Sequence, residues 1–434
     1  MCSDIAVYWF RNDLRLGDSP ALCSACAASA RLLPVYCHDP AEDLPTRWGF
    51  ARRAGPRRAF LYAAVDDLDA QLRARGSRLL QLRGAPAEVL PVLAGAIGAT
   101  AVVCEEIAAP EEQDAVAALR AAGLTVRTVW QSSLLEPLEL PFAVERLPKV
   151  FTDFRRALEW SDVAPPAPRA APTVLPPLPD PVVSLPPSSP APVQIGERAH
   201  AHASFPWWRP DFAGGERAAL AHLARYFADD RAQRYKSTRN GLCGIDFSSK
   251  FAPWLAQGAL SARVAFAALR RHEAARGANE STYWLWFELL WRDYFRFLHL
   301  QHGRRLYRAC GLNEAAPASG HDPEAFERWC AGRTGHAFID AAMRELAATG
   351  WLSNRMRQIV ASYLIHDLGC DWRAGAAWFE AQLVDYDVYS NHGNWLYIAG
   401  RGTDPRGGRR FDPDRQAAIH DPDGAYQALW ACVD

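Results

Sequence analysis

The chain has 434 residues, of which 49% are apolar, 22% charged and 11% aromatic, which excludes disorder and collagen-like repeats. At roughly 100–200 residues per domain, two or three domains with substantial cores are expected. The 48 basic and 49 acidic side chains leave a formal net charge of −1, so nucleic-acid binding needs a local cationic patch rather than a general field. The ten cysteines are scattered, with only Cys23 and Cys26 close together, a usage of reduced thiols that fits neither a disulfide framework nor a zinc ribbon. The N-terminal MCSDIAVYWFRND has no export-signal pattern, and a cytoplasmic location is expected. The aromatic stretch 283–300 is broken by Glu288, Arg292, Asp293 and Arg296, which predicts a buried core helix rather than a membrane span.

From residue 5 to about 130, β-rich runs alternate with helical patterns: IAVYWF from Ile5, LLPVYC from Leu32, RLLQL from Arg78, AVVC from Ala101 and TVRTVW from Thr125. Phe60, Leu61, Ala64, Leu68 and Leu72 recur at helical spacing. Nearly continuous apolar strands predict a parallel sheet covered on both faces, a five-stranded Rossmann-like α/β domain over residues 1–135. Neither GxGxxG nor GxxxxGK[ST] is present, so no phosphate-cradling signature marks a nucleotide site here. The first strand instead runs into Arg11-Asn12-Asp13-Leu14-Arg15, at the carboxyl end of a parallel strand, where such folds hold ligands.

Residues 136–213 read as an interdomain linker, because twelve of the 31 prolines fall between Pro165 and Pro192. Such a segment is semi-extended and can run along one domain to reach another; a ligand for an SH3-type module is the lesser alternative. From Gly214 to residue 434 the pattern is helical, and twelve of the sixteen tryptophans lie at or beyond Trp207. An all-α domain follows, in which any single Trp is ordinarily core.

Three segments of that domain carry chemistry. Trp284, Glu288, Trp291, Arg292 and Phe295 share one helix face, either as a buried i, i+4 ion pair among aromatics or as the wall of a cavity for a planar ligand. In RYKSTRNGLCGIDFSSKFAPWL, Ser248, Ser249 and Lys250 can serve a phosphate or pyrophosphate; in isolation the serines read as an N-cap. Near the C-terminus Asn354, Arg355, Arg357, Trp372, Asp385, Asp387, Asn391 and Trp395 crowd one stretch. The two aspartates lack further ligands at metal-binding spacing, so no metal is expected, and they suit a ligand's N–H or hydroxyl groups.

These segments resemble, in order, the motifs of the photolyase/cryptochrome family, nearest to its cryptochrome-DASH branch. VYWFRNDLRLGDSPAL is similar to the antenna-domain motif, and TRNGLCGIDFSSKFAPWLAQG, STYWLWFELLWRDYFRF, GRTGHAFIDAAMRELAATGWLSNRMRQ and DYDVYSNHGNWLYIAGRGTDPR are similar to helical FAD-domain motifs. The resemblance implies FAD in the helical domain, with Tyr235, Ser248, Ser249, Lys250, Phe251 and Ala252 on its phosphate side. Ala252 replaces a residue that is usually Ser. Arg292, Asn354, Arg357, Asp385, Asp387 and Asn391 match positions around the isoalloxazine and ribityl chain, Asn391 facing flavin N5. Glu288 matches the carboxylate that contacts a pyrimidine dimer, and Trp291, Asn354, Arg355, Tyr397 and Gln416 match other pocket or DNA-facing positions. Arg355 with some of Arg406, Arg409 and Arg410 would hold phosphates.

The resemblance therefore implies blue-light-driven, FAD-dependent repair of cyclobutane pyrimidine dimers by a lyase that takes the target out of the stack, as photolyases do. Tyr397 stands where duplex-active enzymes carry a second Trp, which implies a preference for single-stranded DNA. Ser353 and Asn354 replace the paired histidines of six-four repair. A monomer is expected. The alternative is an FAD-binding photoreceptor that signals through a partner; an NAD(P)H-dependent oxidoreductase is disfavoured by the missing fingerprint. Trp395 and Trp372 match the first two tryptophans of the family's photoreduction chain, but the third falls at Ser319. Photoreduction slower than with a complete chain, or rerouted, is expected. VVCEEIAAPEE resembles the segment that holds a methenyltetrahydrofolate antenna, with Glu106 on the pterin; a plain surface Glu after a strand is the alternative.

Overall fold

The computed structural model describes residues 3–180, 200–316, 320–404 and 406–431. Five parallel strands, β1 (Ser3–Phe10), β2 (Ser29–His38), β3 (Leu80–Arg83), β4 (Ala101–Glu105) and β5 (Thr125–Val129), lie in the order β3-β2-β1-β4-β5. The register pairs Val7 with both Leu33 and Val102, so the central strand is buried on both sides. Its alternation divides the core: Ala6, Tyr8 and Phe10 pack with Leu22, Leu61 and Leu68 on one face, while Val7 and Trp9 pack with Leu90 and Leu119 on the other. The covering helices are α1 (Pro20–Ala28), α2 (Gly55–Arg73), α3 (Pro86–Ile97) and α4 (Pro110–Ala121), each opened by a proline in its first turn, where a missing N–H costs nothing.

The described residues of the 136–213 stretch divide in two. Helix α5 (Phe151–Trp160) buries Phe151, Phe154 and Leu158 in the same core as the helical domain, so this part is packed structure. The described proline-rich residues, 165–180, run along the α/β domain, with Leu175 buried against the sheet-facing core, the Leu32 N–H bonded to the Pro177 carbonyl and the Asp18 N–H to that of Arg169; the rest of the proline run, 181–199, lies outside the described residues.

The C-terminal half is built from α6 (Glu216–Ala228), α7 (Tyr235–Thr238), α8 (Ala252–Ala256), α9 (Ala262–Arg276), α10 (Glu280–His302), α11 (Pro323–Cys330), α12 (Ala337–Thr349), α13 (Asn354–His366), α14 (Trp372–Gln382), α15 (Val388–Ile398), α16 (Pro413–His420) and α17 (Ala425–Leu429). The longest, α10, starts at a capping box: Asn279 accepts from the Ser281 and Thr282 N–H groups, and the Thr282 hydroxyl accepts from the Asn279 N–H. Gly375 lets α14 and α15 meet, because a Cβ there would lie 2.1 Å from the Trp395 ring. No described helix is long and apolar enough to cross a membrane.

The two halves are clasped at the end of β1. The Leu14 N–H and the Arg15 guanidinium bond to the Gln257 and Gly258 carbonyls, and buried Glu216 accepts from the Leu16 and Gly17 N–H groups at 2.8 Å each. Gly258, at φ +66°, passes so close to Asn12 that any Cβ would collide with its carbonyl oxygen at 2.0 Å.

Candidate active site

A cavity of about 520 Å³ opens in the helical half, within the size range of cofactor sites. Its walls come from the segment 235–256, from α10, from the start of α13 and from α15. It brings together Tyr235, Ser248, Ser249, Lys250, Phe251, Ala252, Glu288, Trp291, Arg292, Asn354, Arg357, Asp385, Asp387 and Tyr397. Asn391 and Trp395 line an adjoining space of about 80 Å³ that shares Arg357, Asp385 and Asp387 with it.

On one side of the cavity, Ser248 and Lys250 hold φ of +62° and +58°, a region costly for residues other than glycine. Lys250 is buried, and no described carboxylate forms an ion pair with it; its ammonium lies 4.8 Å from the centre of the Trp351 ring. Burial holds its pKa down to about 8. A buried ammonium beside two serines on a strained backbone suits a phosphate, whose charge would restore the cation.

Across the cavity, Arg357 donates to Asp385 Oδ2 at 2.9 Å and to the Leu352 carbonyl, while buried Asp385 Oδ1 has no partner among the described residues. That open acceptor suits a ligand N–H. Asp387 caps α15 by accepting from the Ser390 N–H. Burial opposes its ionisation, but Arg296 at 3.6 Å and Arg292 at 3.9 Å outweigh this and keep its carboxyl below the usual range. Arg292 spends its N–H groups on the Ser132 and Leu255 carbonyls, and burial lowers its pKa to about 10. Asn391 donates to the Ala376 carbonyl at 3.0 Å, which fixes its amide on α15.

Glu288 and Trp291 form the third side. Burial raises the Glu288 pKa, opposed by Arg239 at 2.7 Å. Arg239 and Lys236 both lie over the Trp284 ring. Trp291 stacks on Phe151 with ring centres 3.8 Å apart and meets Tyr397 edge-on at 5.7 Å. Tyr397 accepts from Arg409, which Asp404 holds at 2.7 Å.

Other expected residues lie elsewhere. Trp372 is buried, donates to the Ala309 carbonyl and lines neither space. Arg355 reaches Asn240 at 3.3 Å, Arg410 is paired with Asp367, Arg406 is exposed, and Gln416 is half-buried on α16. Glu106 follows β4, half-buried, its N–H on the Val129 carbonyl. Ser319 lies outside the described residues. Sequence reasoning missed Arg239, Trp351, Ser390 and Asn394, which line the cavity. Arg239 stood in the basic run before the serines and Trp351 two residues before Ser353, but no spacing rule links them to the other walls.

With this geometry the comparisons agree. Residues 6–173 match the DNA photolyase family model, and residues 284–432 match the model of the FAD binding domain of DNA photolyase. A curated cryptochrome DASH from Gloeobacter violaceus is 46% identical over 99% of this chain and 86% of its own. The crystal structure of a Synechocystis cryptochrome aligns with a TM-score of 0.89 at 41% identity, covering 98% of this chain and 88% of that one. A bacterial class III photolyase from Agrobacterium tumefaciens aligns with a TM-score of 0.79 at 29% identity, over 99% and 87% of the two chains. The fold is thus that of a light-dependent flavoprotein, an α/β domain followed by a helical FAD-binding domain. The chain belongs to the photolyase/cryptochrome family, and its curated relatives at 40–46% identity are named cryptochrome DASH.

Proposed function

We propose that this chain is a blue-light-driven, FAD-dependent lyase that splits cyclobutane pyrimidine dimers, preferentially in single-stranded DNA. The observation that carries the proposal is that Glu288, a half-buried carboxyl on α10, shares one cavity with Lys250 and Asp385. Cofactor and substrate groups then meet without intervening protein. When bound and reduced, FAD supplies the photoexcited electron that opens the cyclobutane ring and receives it back.

The protein's part is positioning. Ser248, Ser249 and Lys250 would hold the pyrophosphate, and Asp385, oriented by Arg357, would accept from an N–H of the cofactor. Asn391, fixed on α15 by the Ala376 carbonyl, would stand beside the flavin ring. Glu288, held by Arg239, presents its carboxyl at the cavity wall to hydrogen-bond a base, and Trp291, braced by Phe151, offers a flat surface to an extruded dimer. Tyr397, held back by Arg409, leaves the opposite side thinner than a second indole would. This favours a dimer that is already unstacked. Glu106 is assigned to a methenyltetrahydrofolate antenna.

The test is blue-light restoration of a thymine dimer in an oligonucleotide by photoreduced protein, single strand beside duplex. Repair of the single strand far above the duplex is expected. Equal repair of both would overturn the strand preference, and no repair of either by protein holding reduced FAD would leave a photoreceptor.

A further inference from the structure

We infer that electrons reach the flavin site from the surface through Trp329 and Trp48, along a ladder of rings that leaves the helical domain by a segment of the α/β domain. The inference rests on FAD in the cavity, as in the reading above, and is independent of DNA repair.

Trp395 lines the small space beside Asp385 and Asn391, so it is the indole placed to give up an electron there. Two sets of aromatic neighbours lead away from it. Along one, Trp329 lies 6.5 Å from Trp395 between ring centres, Phe326 lies 6.0 Å from Trp329, and Trp48 lies 6.4 Å from Phe326. Phe379 touches both Trp395 and Trp329 at 5.1 and 6.3 Å, closing the gap between them. Trp48 is half-buried, between α1–β2 and α2 in the chain, and its ring carries exposed Arg47.

Along the other, Trp372 has no described ring contact with Trp395. It faces His392 at 6.1 Å, and His392 faces Tyr307 at 4.2 Å. This set ends poorly. A tyrosine must release its proton on oxidation, yet the Tyr307 hydroxyl is buried without an acceptor, and burial raises its pKa. Ser319, where the expected surface indole would fall, cannot be oxidised in its place.

The Trp48 branch ends where a hole can be settled. Trp329 is fully buried with its indole N–H on the Val360 carbonyl, so an oxidised Trp329 keeps its proton and passes the hole on. The phenylalanine ring is too hard to oxidise to be a stop and acts as a bridge. Under blue light Trp395 gives one electron to bound oxidised flavin, Trp329 refills Trp395, and Trp48 refills Trp329. Arg47 above the Trp48 ring disfavours a cation there and promotes loss of the indole proton to water. An external thiol, oxidised toward a disulfide, then returns one electron and one proton to Trp48.

The experiment illuminates the FAD-loaded protein in air without reductant and maps tryptophan oxidation by peptide mass spectrometry. Trp160, the most exposed indole among the described residues at 86%, is the internal control for diffusible oxidants. Oxidation of Trp48 above that of Trp160 is expected, lost in Trp329→Phe and retained in Trp372→Phe. Because Trp329 is core, Trp48→Phe is tested in parallel at equal FAD content. It should slow thiol-dependent photoreduction several-fold, while Trp372→Phe leaves the rate unchanged. Trp48 oxidation no greater than that of Trp160, or abolished by Trp372→Phe, overturns the route. Dimer repair by chemically reduced protein is unaffected by all three variants if the repair reading holds, so failure of one is distinguishable from failure of the other.

Discussion

The carboxyl end of the sheet and the helical cleft are both dense in buried charge, yet they do opposite things with it. At the sheet end, Asp13 accepts from the Tyr8 hydroxyl at 2.6 Å, from the Arg11 N–H and from Gln131, while Arg15 donates to the Asp18 and Gly258 carbonyls. Those groups are saturated by the protein itself, and what they build is a joint between domains. In the cleft, no described carboxylate forms an ion pair with Lys250, on which Glu345 and Asp385 act only from a distance, and Asp385 Oδ1 lacks a donor among the described residues. Buried polar groups are normally paired, so open valences around a cavity mark the ligand's place. The comparison teaches that the RNDLR motif at the expected ligand end of the sheet is chiefly structural.

The largest expected effect that tests this contrast is Lys250→Met. Loss of a charge-assisted contact worth ~1.5–3 kcal/mol should weaken FAD binding roughly 10- to 100-fold in a fluorescence titration. The same change removes a buried charge, so the apoprotein should become more stable, the opposite direction. The pH signature follows from a Lys250 pKa held down to about 8: wild-type FAD affinity should fall as pH rises past 8, and the Met variant should lack that dependence. Equal affinity of both proteins would mean that the phosphate lies elsewhere.

Next in size, Glu216→Gln turns an amide donor toward one of the two N–H groups the carboxylate now receives. A loss of about 1–3 kcal/mol in denaturant unfolding is expected, with FAD affinity unchanged. A parallel loss of FAD would show that joint and cleft are one unit.

Much of the fold beneath this contrast was legible in the sequence, and the reason is periodicity. Alternating apolar runs disclosed five parallel strands, because residues such as Val7 and Trp9 must face one core and Tyr8 and Phe10 the other. The cleft was legible segment by segment through ordered motifs. What stayed hidden depends on long-range approach: Arg239 on Glu288, Phe151 stacked on Trp291, and α5 inside what composition marks as a linker. Phe151 and Trp291 are 140 positions apart, and no local pattern reports such a contact. Saturation is equally silent in sequence, since Asp13 and Asp385 are the same residue type and differ only in how many donors surround them.

Glu105, at the end of β4, departs from the saturated pattern of the sheet end and gives the sharpest, smallest test. It is buried beside Ser132, neither carboxylate oxygen has a well-formed hydrogen bond among the described residues, and Arg296 lies 4.0 Å away. Burial and then Asp13 raise its pKa to about 7, with Arg296 opposing. The unfolded chain releases this proton near the ordinary 4.5. Between those values the folded state therefore binds more protons, so stability falls as pH rises through the window and stays lower above it. Glu105→Gln is neutral throughout and should flatten that slope, narrowing the difference in unfolding free energy between pH 5 and pH 8 by on the order of 2 kcal/mol. An unchanged slope, with a methenyltetrahydrofolate titration altered by the same substitution, would instead make Glu105 a group reserved for a ligand. The open valence would then carry the same meaning at the sheet end as it does in the cleft.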